Sequence, residues 1–487
     1  MPRRWSHSAR PDGGPGGEPA APAGRWMVTF AEALGTFAAT LTPAVLPRGV
    51  AEKAAHLLLD TVGVALAAAP ENFARSVQEV ALRLGGPPEA TLWGRPERVG
   101  VASAVLANGT LAHGLDYDDT LEEAIVHTGC CCVTAALAVG EAQRAPGAAV
   151  LAAIAAGVEV MAAVGLVAPG AFHRRGFHPT ALCGPFGAAA AAGNLLGLSP
   201  AEVATAFGLC GSQAGGVIEY LADGSWSKRL HPGWAAHAGI TAALLARAGF
   251  TAPRTVFEGT HGLFRAFAGE APEGGRLARL AGGLGRDWAI LRLMFKAYPC
   301  GSINQPYMDC AARVRAQAPL DPGGIREVVC RTPEGVVHRL WEPLGEKRRP
   351  ATPYGAKFSL PYCIALVLVE GEAGVEGFTE AKTKDPRILA VAEKVRYVVD
   401  GSLPYPQRFT GHVRVTLADG RVLEETQEAP RGGPEIPLAP EALVAKFRAN
   451  AARALPALQV EEAVDRLLKV IAEPDVAAAV SALRGPV

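Results

Sequence analysis

From Gly147 to Ala171 the chain is apolar for long enough to span a bilayer, yet it is mostly Ala, Gly and Val and carries Glu159 near its middle. An acidic residue at that depth costs roughly 2.5–3.5 kcal/mol on membrane-insertion scales, and Ala supplies too little to offset it. The stretch therefore reads as a helix buried on every side, which only a large body of other helices can provide.

The flanking sequence supplies those helices. Thr29 to about Ala69 is helical in pattern, with Ala54, Leu57, Leu58, Val62, Ala65 and Leu66 recurring at three- and four-residue spacing. His56 and Asp60, four apart, are placed to pair there. Ala102–Leu111, Cys132–Gln143, Gly187–Leu196 and Ala235–Ala248 continue the series, with Arg174–Phe186 as a Pro- and Gly-punctuated loop. Ser199-Pro200 followed by Glu202 has the form of a helix start.

Near Ala289 the texture changes. Tyr307–Ala316, Lys357–Leu368 and Asp385–Lys394 read as helices, whereas Ile325–Thr332, Val336–Leu340, Val395–Asp400, His412–Leu417 and Arg421–Thr426 alternate as strands. Asp419-Gly420 between the last two runs signals a hairpin. From Pro437 the pattern returns to helix. At 487 residues the chain exceeds what one core supports. The predicted fold is mainly α, a large all-α helical domain built from N- and C-terminal segments with an inserted smaller α+β lid domain. The boundaries are a disordered tail over 1–26, the first part of the helical domain over 27–290, the lid over 291–432, and returning helices over 433–487.

Lys+Arg and Asp+Glu balance at 47 each, which argues against nucleic acid or an anionic membrane as partner. Residues 1–26 lack the apolar core of a secretory signal. The nine cysteines show no metal-ligand spacing, so reduced thiols in a cytoplasmic protein are expected. No dinucleotide fingerprint, phosphate loop or nucleophile elbow is present.

Against this background polar islands stand out. Asn108 to Asp119 packs His113, Asp116, Asp118 and Asp119 between Ala-rich segments, and His127 follows soon after. Gly176-Phe177-His178-Pro179-Thr180 is a second island. Asp223 to Gly233 is a third, with Lys228, Arg229 and His231. Phe295 to Cys300 and Ala356 to Tyr362 complete the set. Loops carrying His, Lys and Arg among apolar helices suit a pocket for a small polycarboxylate, in which cations hold carboxylates and imidazoles move protons near neutral pH. A rival reading takes Asp116, Asp118, Asp119 and Glu122 as magnesium ligands of a prenyl-diphosphate enzyme, but no second acidic motif accompanies them.

These islands, together with Gly184 to Leu198 and Gly249 to Gly262, are those by which the chain resembles the MmgE/PrpD family from about Phe30 to the C-terminal helices. The resemblance implies a cofactor-independent lyase with no metal, usually a homodimer, with its site between helical domain and lid. It places His113, His127, His178 and Lys228 as catalytic groups, and Asp116, Asp118, Arg229, His231, Tyr298 and Gln305 as binding or supporting ones. Gln305 stands where relatives often carry histidine, and an amide cannot transfer a proton at pH 7. The first expected reaction is dehydration of a 2-methylcitrate-like hydroxy acid. Decarboxylation of a cis-aconitate-like acid is second and epimerisation of a related diacid third. A non-catalytic homologue is the reading from outside enzymology.

Overall fold

The computed structural model describes residues 28–405 and 408–486. The tail expected over 1–26 lies outside the described residues. The first body contains α1 (Phe30–Thr40), α2 (Arg48–Ala68), α3 (Asn72–Leu84), α4 (Val101–His113), α5 (Gly129–Gln143) and α6 (Gly147–Val167). It continues with α7 (Pro179–Leu195), α8 (Pro200–Gln213) and α9 (Ser227–Arg247). The second contains α10 (Gln305–Gln317) and α11 (Leu360–Glu370), and the chain then returns with α12 (Pro440–Ala451) and α13 (Ala457–Leu468). Four strands, β1 (Ile325–Thr332), β2 (Val395–Val399), β3 (Gly411–Leu417) and β4 (Val422–Gln427), form one sheet in the order β2-β1-β3-β4.

The Gly147–Val167 helix is a core helix, packed against α2, α5 and α7. The carboxylate of Glu159 accepts the N–H groups of Ala289 (3.0 Å) and Ile290 (2.9 Å), so the buried acid closes the start of a 3₁₀ turn. Buried apolar side chains form two cores. One draws on Phe30 to Phe295 and on Leu443 to Leu483; the other lies within Tyr298 to Leu417. The fold is thus mainly α, with helices from both ends of the chain in one core. In the sheet, β1 pairs parallel with β2 and antiparallel with β3, and the β3–β4 hairpin turns through Asp419-Gly420, where Gly420 has φ +89°. A left-handed residue at that corner is what glycine permits without steric cost.

Three local expectations are corrected. Val336–Leu340 belongs to a helix (Glu334–Leu340), not a strand. Pro333 precedes it, Glu334 opens it, and Val336 and Leu340 bury one face. The Arg174–Phe186 segment is a loop only to His178. Helix α7 starts at Pro179 and runs through Pro185, as α9 runs through Pro232. An interior proline costs about 3 kcal/mol, which close packing of these Ala- and Gly-rich helices outweighs. Asp60, finally, pairs with Lys446 of α12 at 2.6 Å and not with His56.

Candidate active site

Helices α4 and α9 cross where two glycines meet. A Cβ on Gly233 would lie 2.2 Å from Leu106 O, and one on Gly109 2.8 Å from Gly233 Cα. This backbone-to-backbone approach sets His113, the last residue of α4, beside Lys228 in the first turn of α9. After α4 the chain turns sharply, with Asp116 in the left-handed region at φ +56°. A non-glycine residue there is strained and held by its surroundings.

Those surroundings are cationic. Lys228 Nζ donates to both carboxylate oxygens of Asp116 at 3.0 and 2.8 Å. Lys296 Nζ donates to the Asp116 carbonyl at 3.0 Å and reaches Oδ1 at 3.4 Å, and the Tyr354 hydroxyl donates to Oδ2 at 3.0 Å. Burial opposes ionisation of Asp116, but Lys228 and Lys296 overcome it and hold the carboxyl well below its usual range. Asp118 has a different role. Its Oδ2 lies 2.7 Å from His113 Nδ1, and burial is again outweighed, here by His113 and His127, so that it stays an anion. Asp119 closes the N-terminus of α5, accepting from Thr128 N (2.9 Å), Thr128 Oγ1 (2.7 Å) and Gly129 N (2.8 Å). Burial and neighbouring Asp118 push its carboxyl up to about 6.

Three imidazoles gather over this floor, with ring centres 4.8 Å apart for His113 and His127, 5.4 Å for His113 and His178, and 6.3 Å for His127 and His178. Each has its Nδ1 engaged. His113 meets Asp118, His127 meets the Asp119 carbonyl at 2.7 Å, and His178 meets Nδ1 of His231 at 3.1 Å. His113 Nε2 is buried without a partner. Burial, only partly offset by Asp118, takes His127 down to about 3, and burial with neighbouring His113 takes His231 to about 4. His178 is likewise pushed well down by burial, with His113 and Lys228 adding to the effect. The three rings also offer donor atoms within 4.8 Å of one another. Imidazoles with anchored Nδ1 atoms are a set that a transition-metal ion accepts, although Lys228 and Lys296 stand close by.

The structure thus brings together His113, His127, His178, His231, Lys228, Asp116 and Asp118. Asp116 holds lysines rather than an imidazole. Arg229 lies over the rings of Phe73 and Tyr354, at 4.3 and 5.0 Å from their centres. Two of the residues expected to bind or support make their contacts within the protein. The Tyr298 hydroxyl donates to Asp309 at 2.9 Å and accepts from Arg431 at 3.1 Å, away from the imidazoles. Gln305 is fully buried and its amide is committed to the backbone, accepting from Ala297 N and Tyr298 N and donating to Tyr298 O. It fastens the Phe295–Cys300 strap. Lys296 and Tyr354 were missed, although a lysine inside the apolar Phe295–Cys300 island was a visible signal for the first.

A cavity of about 550 Å³ is walled in part by Leu121, Glu122, His173, Arg174, Met294 and Arg339, and by none of the imidazoles or lysines of the cluster. Leu121 and Glu122 lie between Asp119 and His127, and His173-Arg174 shortly precede His178. A surface groove of about 600 Å³ at Arg75, Arg95 and Arg453 contains none of these groups.

The chain therefore combines a helical core, a separate α+β core and a buried imidazole–lysine–carboxylate cluster, to which Tyr354 is added from within the second core's span of the sequence. The chain belongs to the MmgE/PrpD family, matching its N-terminal domain over residues 32–274 and its C-terminal domain over 298–469. It is 28% identical to human cis-aconitate decarboxylase across 87% of each chain. It is 25% identical to the Aspergillus terreus cis-aconitate decarboxylase, over 93% of this chain and 95% of that one. The cis-aconitate decarboxylase-like protein oryM of Aspergillus oryzae is 25% identical over 91% of this chain and 95% of its own.

Proposed function

We propose that this protein is a carboxy-lyase that removes carbon dioxide from a small unsaturated tricarboxylate of the cis-aconitate type. The observation that carries the reading is the open Nε2 of His113, backed through Nδ1 by the Asp118 anion, in a chain whose full-length relatives include decarboxylases of that acid. Lys228 and Lys296 neutralise substrate carboxylates. The carbon–carbon bond to one carboxylate breaks, and its electron pair passes into the conjugated carbon framework as carbon dioxide leaves. A proton from an imidazolium joins the carbon that gained the pair, and solvent replaces that proton. Asp118 stabilises the positive charge carried by His113 during this cycle.

Dehydration of a 2-methylcitrate-like acid, the first expectation from sequence, is now the second reading. It is favoured by the neutral state of His127 and His178, which suits a base. Purified protein incubated with cis-aconitate, 2-methylcitrate and citrate separates the two. Headspace carbon dioxide from cis-aconitate is expected; rising absorbance near 240 nm from a hydroxy acid, without carbon dioxide, would sink the decarboxylase reading.

The reading extends to a homodimer in the cytoplasm. The exposed row Trp226, Leu230, Trp234 and Leu244 along α9 supports a second copy as partner, and nine free, buried cysteines suit a reducing compartment. Light scattering of the purified protein tests the dimer.

A further inference from the structure

The geometry points to Lys446, on the returning helix α12, as a positioning residue that sets the Asp116–Asp118 turn against the Lys296 strap. Its side chain is 7% exposed and that of Asp60 is fully buried. The ammonium meets Asp60 at 2.6 Å, the Tyr117 carbonyl at 3.0 Å and the Lys296 carbonyl at 2.9 Å. One ion pair and two hydrogen bonds thus reach three different segments. Tyr117 lies between the aspartate that holds the lysines and the one that holds His113, so fixing its carbonyl fixes both. The ammonium also sits 3.8 Å from the centre of the Tyr117 ring.

The neighbouring strap is held by the same chemistry. Lys53 of α2 donates to the Leu293 carbonyl at 2.8 Å, and Lys357 donates to the Pro299 carbonyl at 2.7 Å. Lys446 alone among the three joins the strap to the carboxylate turn. An ammonium buried only for stability is a poor device, because desolvation consumes most of what the ion pair returns. Holding two reacting segments in register is worth more, since small displacements cost large factors in rate.

Charged and titratable groups surround Lys446: Asp60 and Lys53 from α2, Asp118 and Tyr117 from the turn, and Lys296 from the strap. Asp60→Asn leaves the lysine its two carbonyl partners, whereas Lys446→Met removes them.

Turnover and the NMR chemical shift of the His113 Nδ1 proton, which reports its 2.7 Å contact with Asp118, are the readouts; the second is independent of which substrate the enzyme takes, and Lys446→Met is expected to displace it. Asp60→Asn is expected to keep kcat within about threefold and to leave that resonance in place, because the lysine keeps its two carbonyl partners. Lys446→Met is expected to lower kcat by about 30-fold or more with a smaller change in KM. Asp60→Asn/Lys446→Met, which removes both charges of the pair, keeps that kcat loss even where its melting temperature recovers. A folded double variant with wild-type kcat overturns the proposal. So does one that cannot fold, since Lys446 would then be a structural anchor. Absence of turnover in the parent, with the His113 resonance displaced in Lys446→Met and kept in Asp60→Asn, counts against the decarboxylase reading and not against Lys446; a resonance unmoved in Lys446→Met overturns the proposal.

Discussion

His113 and Asp118 meet at 2.7 Å with both side chains wholly excluded from solvent. The carboxylate is ionised although burial opposes it, because His113 and His127 face it. It fixes the ring and leaves one nitrogen directed at the site. Asp118→Asn preserves shape and removes charge. It is expected to lower kcat about 10²-fold or more, measured as carbon dioxide release, with circular dichroism unchanged. His113→Ala should match it, and a variant retaining a tenth of parental turnover would remove His113 from the chemistry.

Lys228, Lys296 and Tyr354 converge on Asp116. Lys228→Met is expected to reduce kcat/KM by about 10²-fold, because a cation facing substrate carboxylates is lost. Tyr354→Phe removes one hydrogen bond and no charge, so about tenfold is expected. Steady-state kinetics with the accepted acid distinguishes them.

His127 titrates at about 3 in the folded protein against a reference of 6.5. Its folded value is depressed, so the unfolded chain binds the extra proton between those two values. The stability it contributes is present above 6.5 and is lost as pH falls toward 3. His178 acts in the same direction. Melting temperatures of the parent and His127→Gln, compared at pH 7.5 and pH 5, should show a smaller acid loss in the variant by a few degrees. Equal losses would contradict the buried neutral imidazole.

Gln305→Ala leaves the N–H groups of Ala297 and Tyr298 without their acceptor. A loss of about 1–3 kcal/mol in denaturant unfolding is expected. Gln305→His should not raise turnover, because that side chain sits in the backbone of the strap and not over the imidazoles.

Three imidazoles with donor atoms within 4.8 Å of one another should bind zinc in competition with substrate. Added Zn²⁺ is expected to inhibit, EDTA to restore activity, and EDTA alone to leave the purified enzyme unaffected. Loss of turnover in EDTA alone would give the metal a part in the reaction.

Much of this was legible in the sequence because it is local. The Asn108–Asp119 cluster, His178 at the mouth of α7, Lys228 at the start of α9 and the Asp419-Gly420 hairpin each lie within one short segment. Partners arriving from far along the chain leave no such mark. Tyr354 reaches Asp116 across 238 positions and Lys446 reaches Tyr117 across 329. Gln305 was ambiguous for a related reason, since its residue type suits a substrate as well as it suits the strap's own backbone. The Val336–Leu340 alternation was too short to separate period two from a helical pair at positions four apart.

The return of α12 also bears on the order in which the protein becomes an enzyme. During synthesis Asp60 emerges long before Lys446, and at about 5–20 residues per second the two are separated by tens of seconds. Through that interval the helical core lacks the cation that ties its carboxylate turn to the strap. A ribosome-bound chain released short of α12 should therefore be inert even with His113, His127, His178 and Lys228 all present. On the proposal for Lys446, activity waits for a helix made 329 positions after the turn it holds.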